Sequence, residues 1–288
     1  WSGQNPPPGA VVYYWLEKEP EGDVTLEVLD PEGKVVSRLS SKPLEPSGSS
    51  EYVKEETEGL AELALAKKKG VQKAVWGFDW EGAEMIQGGV LDAGYPRFGP
   101  QALPGTYTLK LTADGKTVTA PLTVRPDPRA GVSPEDQAAQ LQFALEVRDA
   151  ITRLTRAVER LRSVRKQLTD RNAVIAKDEK AKPLAESAKA LIAKLDDLEA
   201  RIHNPKAVIS YDVLALKGGA QLYSRLSPFF GWVTDGSGAP TQGMKEVFAE
   251  QEKELAGYEK ELDQLLGSDL AAVNAQAGQL GMGWVVMP

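Results

Sequence analysis

Val124-Arg125-Pro126-Asp127-Pro128-Arg129 is the stretch on which the reading of this chain turns. Before it, apolar and polar residues alternate with a period of two, the pattern of half-buried β-strands. After it, apolar residues recur every three or four positions, the pattern of amphipathic helices. Pro126 and Pro128 have a fixed φ and no N–H, so they stiffen the exit from the last strand. The break predicts an α+β multidomain chain. An N-terminal immunoglobulin-like antiparallel β-sandwich is expected over residues 10–126, a linker over 127–132, and an antiparallel four-helix bundle with an apolar C-terminal tail over 133–288. Residues 1–9 read as a further linker.

Just upstream of the seam, Thr106–Thr112 and Lys116–Val124 flank Asp114-Gly115, a turn pair favoured in two-residue hairpins. Farther back, Val24–Leu29 and Lys34–Leu39 flank Asp30-Pro31-Glu32-Gly33, a second hairpin. Ala10–Leu16 (AVVYYWL) and Val71–Trp76 are β-branched and aromatic runs that read as two more strands. Residues 41–70 read as an insertion in the sandwich. It is Pro/Ser/Gly-rich over 42–50 and helical from Glu58 to Lys69, with Gly70 closing the helix. Trp80 to Pro100 reads as a long Gly-rich loop holding Met85, Ile86, Tyr95 and Phe98.

Downstream, Ser133-Pro134-Glu135-Asp136 is a helix start with cap, proline and first-turn acids in place. Ala144, Val147, Ile151, Leu154, Val158, Leu161, Val164 and Leu168 then form a heptad-like seam. Leu184, Ala188, Leu191, Leu195, Leu198 and Ile202 mark a second helix ending near Asn204-Pro205. A third is expected from Val213 through Tyr223 to Pro228. A fourth starts at Pro240-Thr241, with Thr241 as cap, and continues to Leu280. Short connections predict antiparallel neighbours in an up-down arrangement.

Composition excludes several classes of function. The chain of 288 residues carries a formal net charge of −7, which repels phosphate backbones and anionic membrane surfaces, so no nucleic-acid partner is expected. It contains no cysteine and one histidine, so disulfides, thiolate metal sites and thiol nucleophiles are out of reach. No apolar run approaches the roughly 20 residues that span a bilayer. The absence of Met at Trp1, with Asn5-Pro6-Pro7-Pro8-Gly9 behind it, reads as a linker arriving from an upstream domain.

Leu103-Pro104-Gly105-Thr106-Tyr107-Thr108-Leu109-Lys110-Leu111, followed by Asp114-Gly115-Lys116 and the run from Leu122 to Arg129, resembles the C-terminal region of bacterial proteins with BNR-repeat, sortilin-like β-propellers, often labelled glycosyl hydrolases. Gly9 to Leu16 and the helix start Pro240-Thr241-Gln242 are similar to that family too. The resemblance implies an exported protein, periplasmic, cell-surface or secreted, in which a propeller precedes this segment. Any glycosidase activity would then sit in that propeller, and the propeller itself or a protein partner would be what this region contacts. That family carries Trp-Asp or Trp-Asn where this chain has Trp76-Gly77, so a role for that acid does not carry over.

Candidate chemistry is sparse. Asp79 and Glu81, with Glu84 nearby, lie among Trp76, Phe78 and Trp80. Paired carboxylates about 5 to 10 Å apart beside stacking aromatics are what a glycosidase or carbohydrate-binding loop needs. Large aromatics in a sandwich are more often core. His203 reads as a helix C-terminal residue meeting the dipole and last carbonyls before it reads as a base or ligand. The arginines from Arg148 to Arg165 read as a solvated helix face paired with acids. The glycines of Gly88 to Gly94 lack a phosphate-loop Lys and a following helix. No catalytic residue, cofactor or metal is expected. The leading expectation is a non-catalytic accessory or scaffolding region mediating domain or protein–protein contact. One alternative is a carbohydrate module at Trp76 to Glu84. Another is self-assembly into a homo-oligomer or filament through the apolar tail containing Trp284.

Overall fold

A computed structural model describes residues 3, 5, 7–47, 59–213, 217–283 and 285–287. The chain is mixed α/β, with antiparallel sheets followed by several helices. Its strands are β1 (Ala10–Leu16), β2 (Thr25–Leu29), β3 (Val35–Ser40), β4 (Gly70–Trp76), β5 (Asp79–Glu81), β6 (Phe98–Gln101), β7 (Gly105–Ala113) and β8 (Lys116–Val124). Its longer helices are α1 (Pro134–Ile175), α2 (Lys182–Ile202), α3 (Leu222–Asp235), α4 (Gln242–Gln264) and α5 (Leu270–Gln279), the last two joined by a π-helical turn, Leu265–Asp269. Packing divides the chain into two compact units. One comprises Trp1–Ala83, Pro96–Glu146 and Trp232–Pro240; the other Glu84–Tyr95, Val147–Gly231 and Thr241–Pro288. The division falls inside α1 and not in the 127–132 stretch.

In the first unit, β3-β2-β7-β8 form a four-stranded antiparallel sheet and β1-β4 a two-stranded one. Period-two alternation turns Tyr14, Leu16, Ala74 and Trp76 of the smaller sheet inward. They share one core with Leu26, Val28, Val36, Tyr107 and Leu109 of the larger. The Asp114-Gly115 turn forms as expected, with both residues at positive φ (46° and 74°). The stretch read as a loop after Trp76 contains a further pair, β5 with β6. Glycine makes that pair possible. A Cβ at Gly82 would lie 2.0 Å from the Arg97 carbonyl oxygen, and one at Gly99 2.2 Å from that of Trp80. The helix expected from Glu58 to Lys69 is shorter: residue 58 lies outside the described residues, helix covers residues 59–62, and Gly70 opens β4 instead of closing a helix.

In the second unit, side-chain pairs fix helix directions. Arg162 meets Glu199, Arg165 meets Asp196 and Asn172 meets Ala185, so α1 and α2 are antiparallel. Arg201 with Glu261, and Lys194 with Asp269, set α2 antiparallel to the α4–α5 column. Arg225 with Glu254, and Phe229 stacked on Phe248, set α3 antiparallel to α4. Arg153 with Glu252 and Glu259, and Arg160 with Asp263, set α1 parallel to α4. The helices α2 and α3 therefore run the same way, one after the other, and do not alternate up and down as expected. Between them the Asn204 carboxamide donates to the Lys217 and Gly219 carbonyls. The third helix also begins later than expected and passes through Pro228 to Asp235, with the Ser227 hydroxyl donating to the Tyr223 carbonyl at 2.9 Å. Expected caps form at Ser133, whose Oγ accepts from Asp136 N–H at 3.1 Å, and at Thr241, whose Oγ1 accepts from Met244 N–H at 3.2 Å.

Candidate functional site

The acidic and aromatic residues after β4 do not assemble a sugar platform. Trp76 and Trp80 are 1% and 8% exposed, so neither offers a ring face for stacking. Trp76 packs edge-on to Phe78 and Tyr107 and donates its indole N–H to the Asp79 carbonyl at 2.9 Å. Trp80 lies under the Lys34 ammonium, 5.0 Å from the ring centroid. These two indoles are core, the more common role of large aromatics in a sandwich, and the alternative in which they stack on a sugar has no exposed ring to use. Asp79 is half-buried on β5, and burial pushes its carboxyl up while a bond to its own backbone N–H pulls it down. A Cβ at Gly77 would come 2.8 Å from Asp79 Oδ1, so the Asp79 carboxylate occupies the space a residue-77 side chain would take. Glu81 is exposed beside β6, opposite Phe98. Glu84 is committed elsewhere: Arg156 grips its carboxylate at 2.6 to 3.1 Å, and Thr152 and Thr155 hold its backbone. Trp284 lies outside the described residues.

The most electrostatically perturbed place is inside the second unit. Glu199, with its side chain 2% exposed, accepts from Arg162 Nε at 2.7 Å and also pairs with Arg165. His203 Nε2 stands 3.0 Å from Glu199 Oε1 and 3.2 Å from Arg162 Nη2. Arg162 Nη1 donates to the Gln87 carbonyl at 2.7 Å. Burial pushes the Glu199 carboxyl up, but hydrogen bonds from His203 and Arg162 and the charges of Arg162 and Arg165 outweigh it and hold it down at about 2. His203 does cap α2, but its imidazole meets a carboxylate and a guanidinium and not the helix carbonyls expected. The cluster is a buried ion network that ties α1 to α2, and within it His203 Nδ1 is buried with no hydrogen-bond partner. The remaining arginines between Arg148 and Arg165 are likewise paired: Arg148 with Asp149, Arg153 with Glu252 and Glu259, and Arg160 with Asp263; Arg171 meets the Gly283 carbonyl instead. Among the described residues no group of three or more His, Cys, Asp or Glu can hold a metal ion, and no helix is long and apolar enough to cross a membrane.

What stands out is the outward face of β1 and β4. Register places Val11 opposite Val75, Tyr13 opposite Lys73 and Trp15 opposite Val71. Tyr13, Trp15 and Val71 are 69%, 63% and 69% exposed, and Val11 is exposed too. Because β1 reads AVVYYWL, it is apolar on both faces, the composition of a strand covered on both sides. Its inward set, Val12, Tyr14 and Leu16, is used by the core, with Tyr14 anchored by its hydroxyl on the Ala66 carbonyl at 2.6 Å. Its outward set faces solvent, and no described strand pairs with the other edge of β1. The signal was present in the sequence: a strand with no polar residue at any position. Other exposed apolar residues, such as Val208 and Ile209, lie on a bend.

Two further features are structural. The C-terminal tail is pinned by carboxamides. Asn274 bonds both backbone groups of Val285 at 2.8 and 3.0 Å, and Gln167 both of Val286 at 2.8 and 2.9 Å. A cleft of about 1040 Å³ in the first unit, walled by Phe78, Leu103, Leu122, Val124 and Leu141, includes Gln140, whose amide is spent on the Val233 and Gly236 carbonyls. At its rim the seam closes on itself: Arg129 binds both carboxylate oxygens of Asp127 and holds that carboxyl down at about 2. Compared with known proteins, the chain matches no family model, no curated protein and no solved structure.

Proposed function

We propose that this chain is a non-catalytic interaction module that presents the outward β1–β4 face to a protein partner. The observation carrying this reading is the two-by-three grid of Val11, Tyr13, Trp15, Val71, Lys73 and Val75, of which only Lys73 is polar. Aromatic residues in a contiguous exposed patch are the usual composition of a protein contact, and an uncovered sheet face of this kind invites aggregation. The strand order supports reading the first unit as an immunoglobulin-like sandwich. In that reading β1-β4 takes the place of strands B and E, and β3-β2-β7-β8 the place of C′, C, F and G. The resemblance of residues 103–129 to the segment that follows sortilin-like propellers supports an accessory role beside such a propeller in an exported polypeptide.

The test is site-specific photo-crosslinking in the source cells, with a photoreactive phenylalanine replacing Tyr13 and, separately, Val118 on β8, which is 63% exposed. A discrete adduct from position 13 and none from position 118 is expected. Background labelling alone at position 13 contradicts the reading.

A further inference from the structure

Resting on that interaction reading, we infer that the partner is an acidic protein surface: an apolar centre that covers Tyr13, Trp15 and Val71, ringed by carboxylates. Charge points to this partner. Lys67, Lys68 and Lys69 lead directly into β4, whose Gly70 and Val71 lie opposite Leu16 and Trp15, and Lys73 stands in the middle of the grid opposite Tyr13. Lys68, Lys69 and Lys73 are exposed. Among the described residues no carboxylate, Glu17 and Glu19 included, lies within ion-pair distance of these three ammonium groups. The contrast with α1 is sharp, since Arg153, Arg156, Arg160, Arg162 and Arg165 all reach acids. In a chain of formal net charge −7, lysines with no acid in ion-pair reach among the described residues place positive charge beside one apolar face. Such a rim steers an oppositely charged surface and selects against a like-charged one.

The same charges disfavour two other occupants. A second copy meeting this face through a two-fold axis would bring Lys73 toward its own counterpart. An anionic membrane would gain only about 1 kcal/mol for each nearby lysine, against the repulsion of the acidic remainder of the chain.

The experiment uses the full chain carrying the photoreactive residue at position 13 in the source cells. It compares three forms: the native lysines, the triple variant Lys68→Glu/Lys69→Glu/Lys73→Glu, and the triple variant Lys68→Arg/Lys69→Arg/Lys73→Arg. Adduct peptides are sequenced by mass spectrometry, and circular dichroism of each purified form confirms the fold. The expected result is an adduct in another protein with Asp or Glu within a few residues of the linked side chain. Its yield falls at least tenfold on charge reversal and is retained with arginine. An adduct with lipid or with a second copy of this chain overturns the inference. So does a yield indifferent to charge reversal, which would leave the interaction reading standing. No adduct in any form overturns both.

Discussion

Tyr13 stands directly across the β1–β4 ladder from Lys73, and both side chains are exposed. One residue along the chain, Tyr14 faces the other way into the core. The two tyrosines therefore separate contact from stability. Tyr13→Ser and Trp15→Ser are expected to change unfolding free energy by no more than about 0.5 kcal/mol each, while Tyr14→Ala costs about 3 kcal/mol. Urea titrations of the three variants check this.

Glu199 links stability to acid. Its carboxyl is held at about 2 against an ordinary 4.5, so the native state favours the ionised form. The stabilisation is complete above the ordinary carboxylate range and is lost as pH falls from about 5 toward 2. It amounts to about 3 kcal/mol. Urea titrations at pH 7 and pH 3 are expected to show a smaller acid-induced loss in Glu199→Gln than in the native chain. Arg162→Met leaves a buried carboxylate one partner short and is expected to cost about 3 kcal/mol at pH 7.

Two glycines are expected to respond in opposite directions to alanine. Gly82→Ala drives a Cβ into the Arg97 carbonyl and is expected to destabilise by about 2 kcal/mol or more. Gly257 lies inside α4 with nothing within 4 Å of an added Cβ, so Gly257→Ala is expected to stabilise by about 0.5 to 1 kcal/mol. Thermal unfolding of both variants reads the signs.

Asn274 mimics a strand edge by bonding both backbone groups of Val285. Asn274→Ala is expected to accelerate amide exchange at Val285 and Val286 by tenfold or more, with unchanged exchange in the buried centre of α1.

Much of this architecture was legible in local chemistry. The turn at Asp114-Gly115, the caps at Ser133 and Thr241 and the heptad-like seam of α1 depend on residues close in sequence, so short patterns report them. Helix direction was not legible, because it depends on pairs distant in sequence, such as Arg225 with Glu254 and Arg153 with Glu252. Pro228 reads as a stop, yet α3 continues through it to Asp235, buried around it at Leu226, Phe229, Phe230 and Val233. The β5–β6 pair was hidden because Gly82 and Gly99, which normally signal loops, are there to let two backbones touch. For the candidate site, the aromatics of the Trp76 to Trp80 stretch drew notice by type, yet burial removed them from any surface role. The face that emerged instead was encoded in β1 as a strand apolar on both sides, and only the fold shows which of its sides is left open.

The most direct test exploits the absence of cysteine in this chain. Val71 on β4 and Val118 on β8 are similarly exposed strand residues, 69% and 63%. Single variants Val71→Cys and Val118→Cys are labelled with a maleimide, first as purified chains and then in the source cells. As purified chains the two thiols should react at comparable rates. In cells the thiol at position 71 should be protected at least tenfold relative to that at 118, because the β1–β4 face is covered by its partner. Equal labelling of both positions in cells would contradict the assignment of this face as an interaction surface.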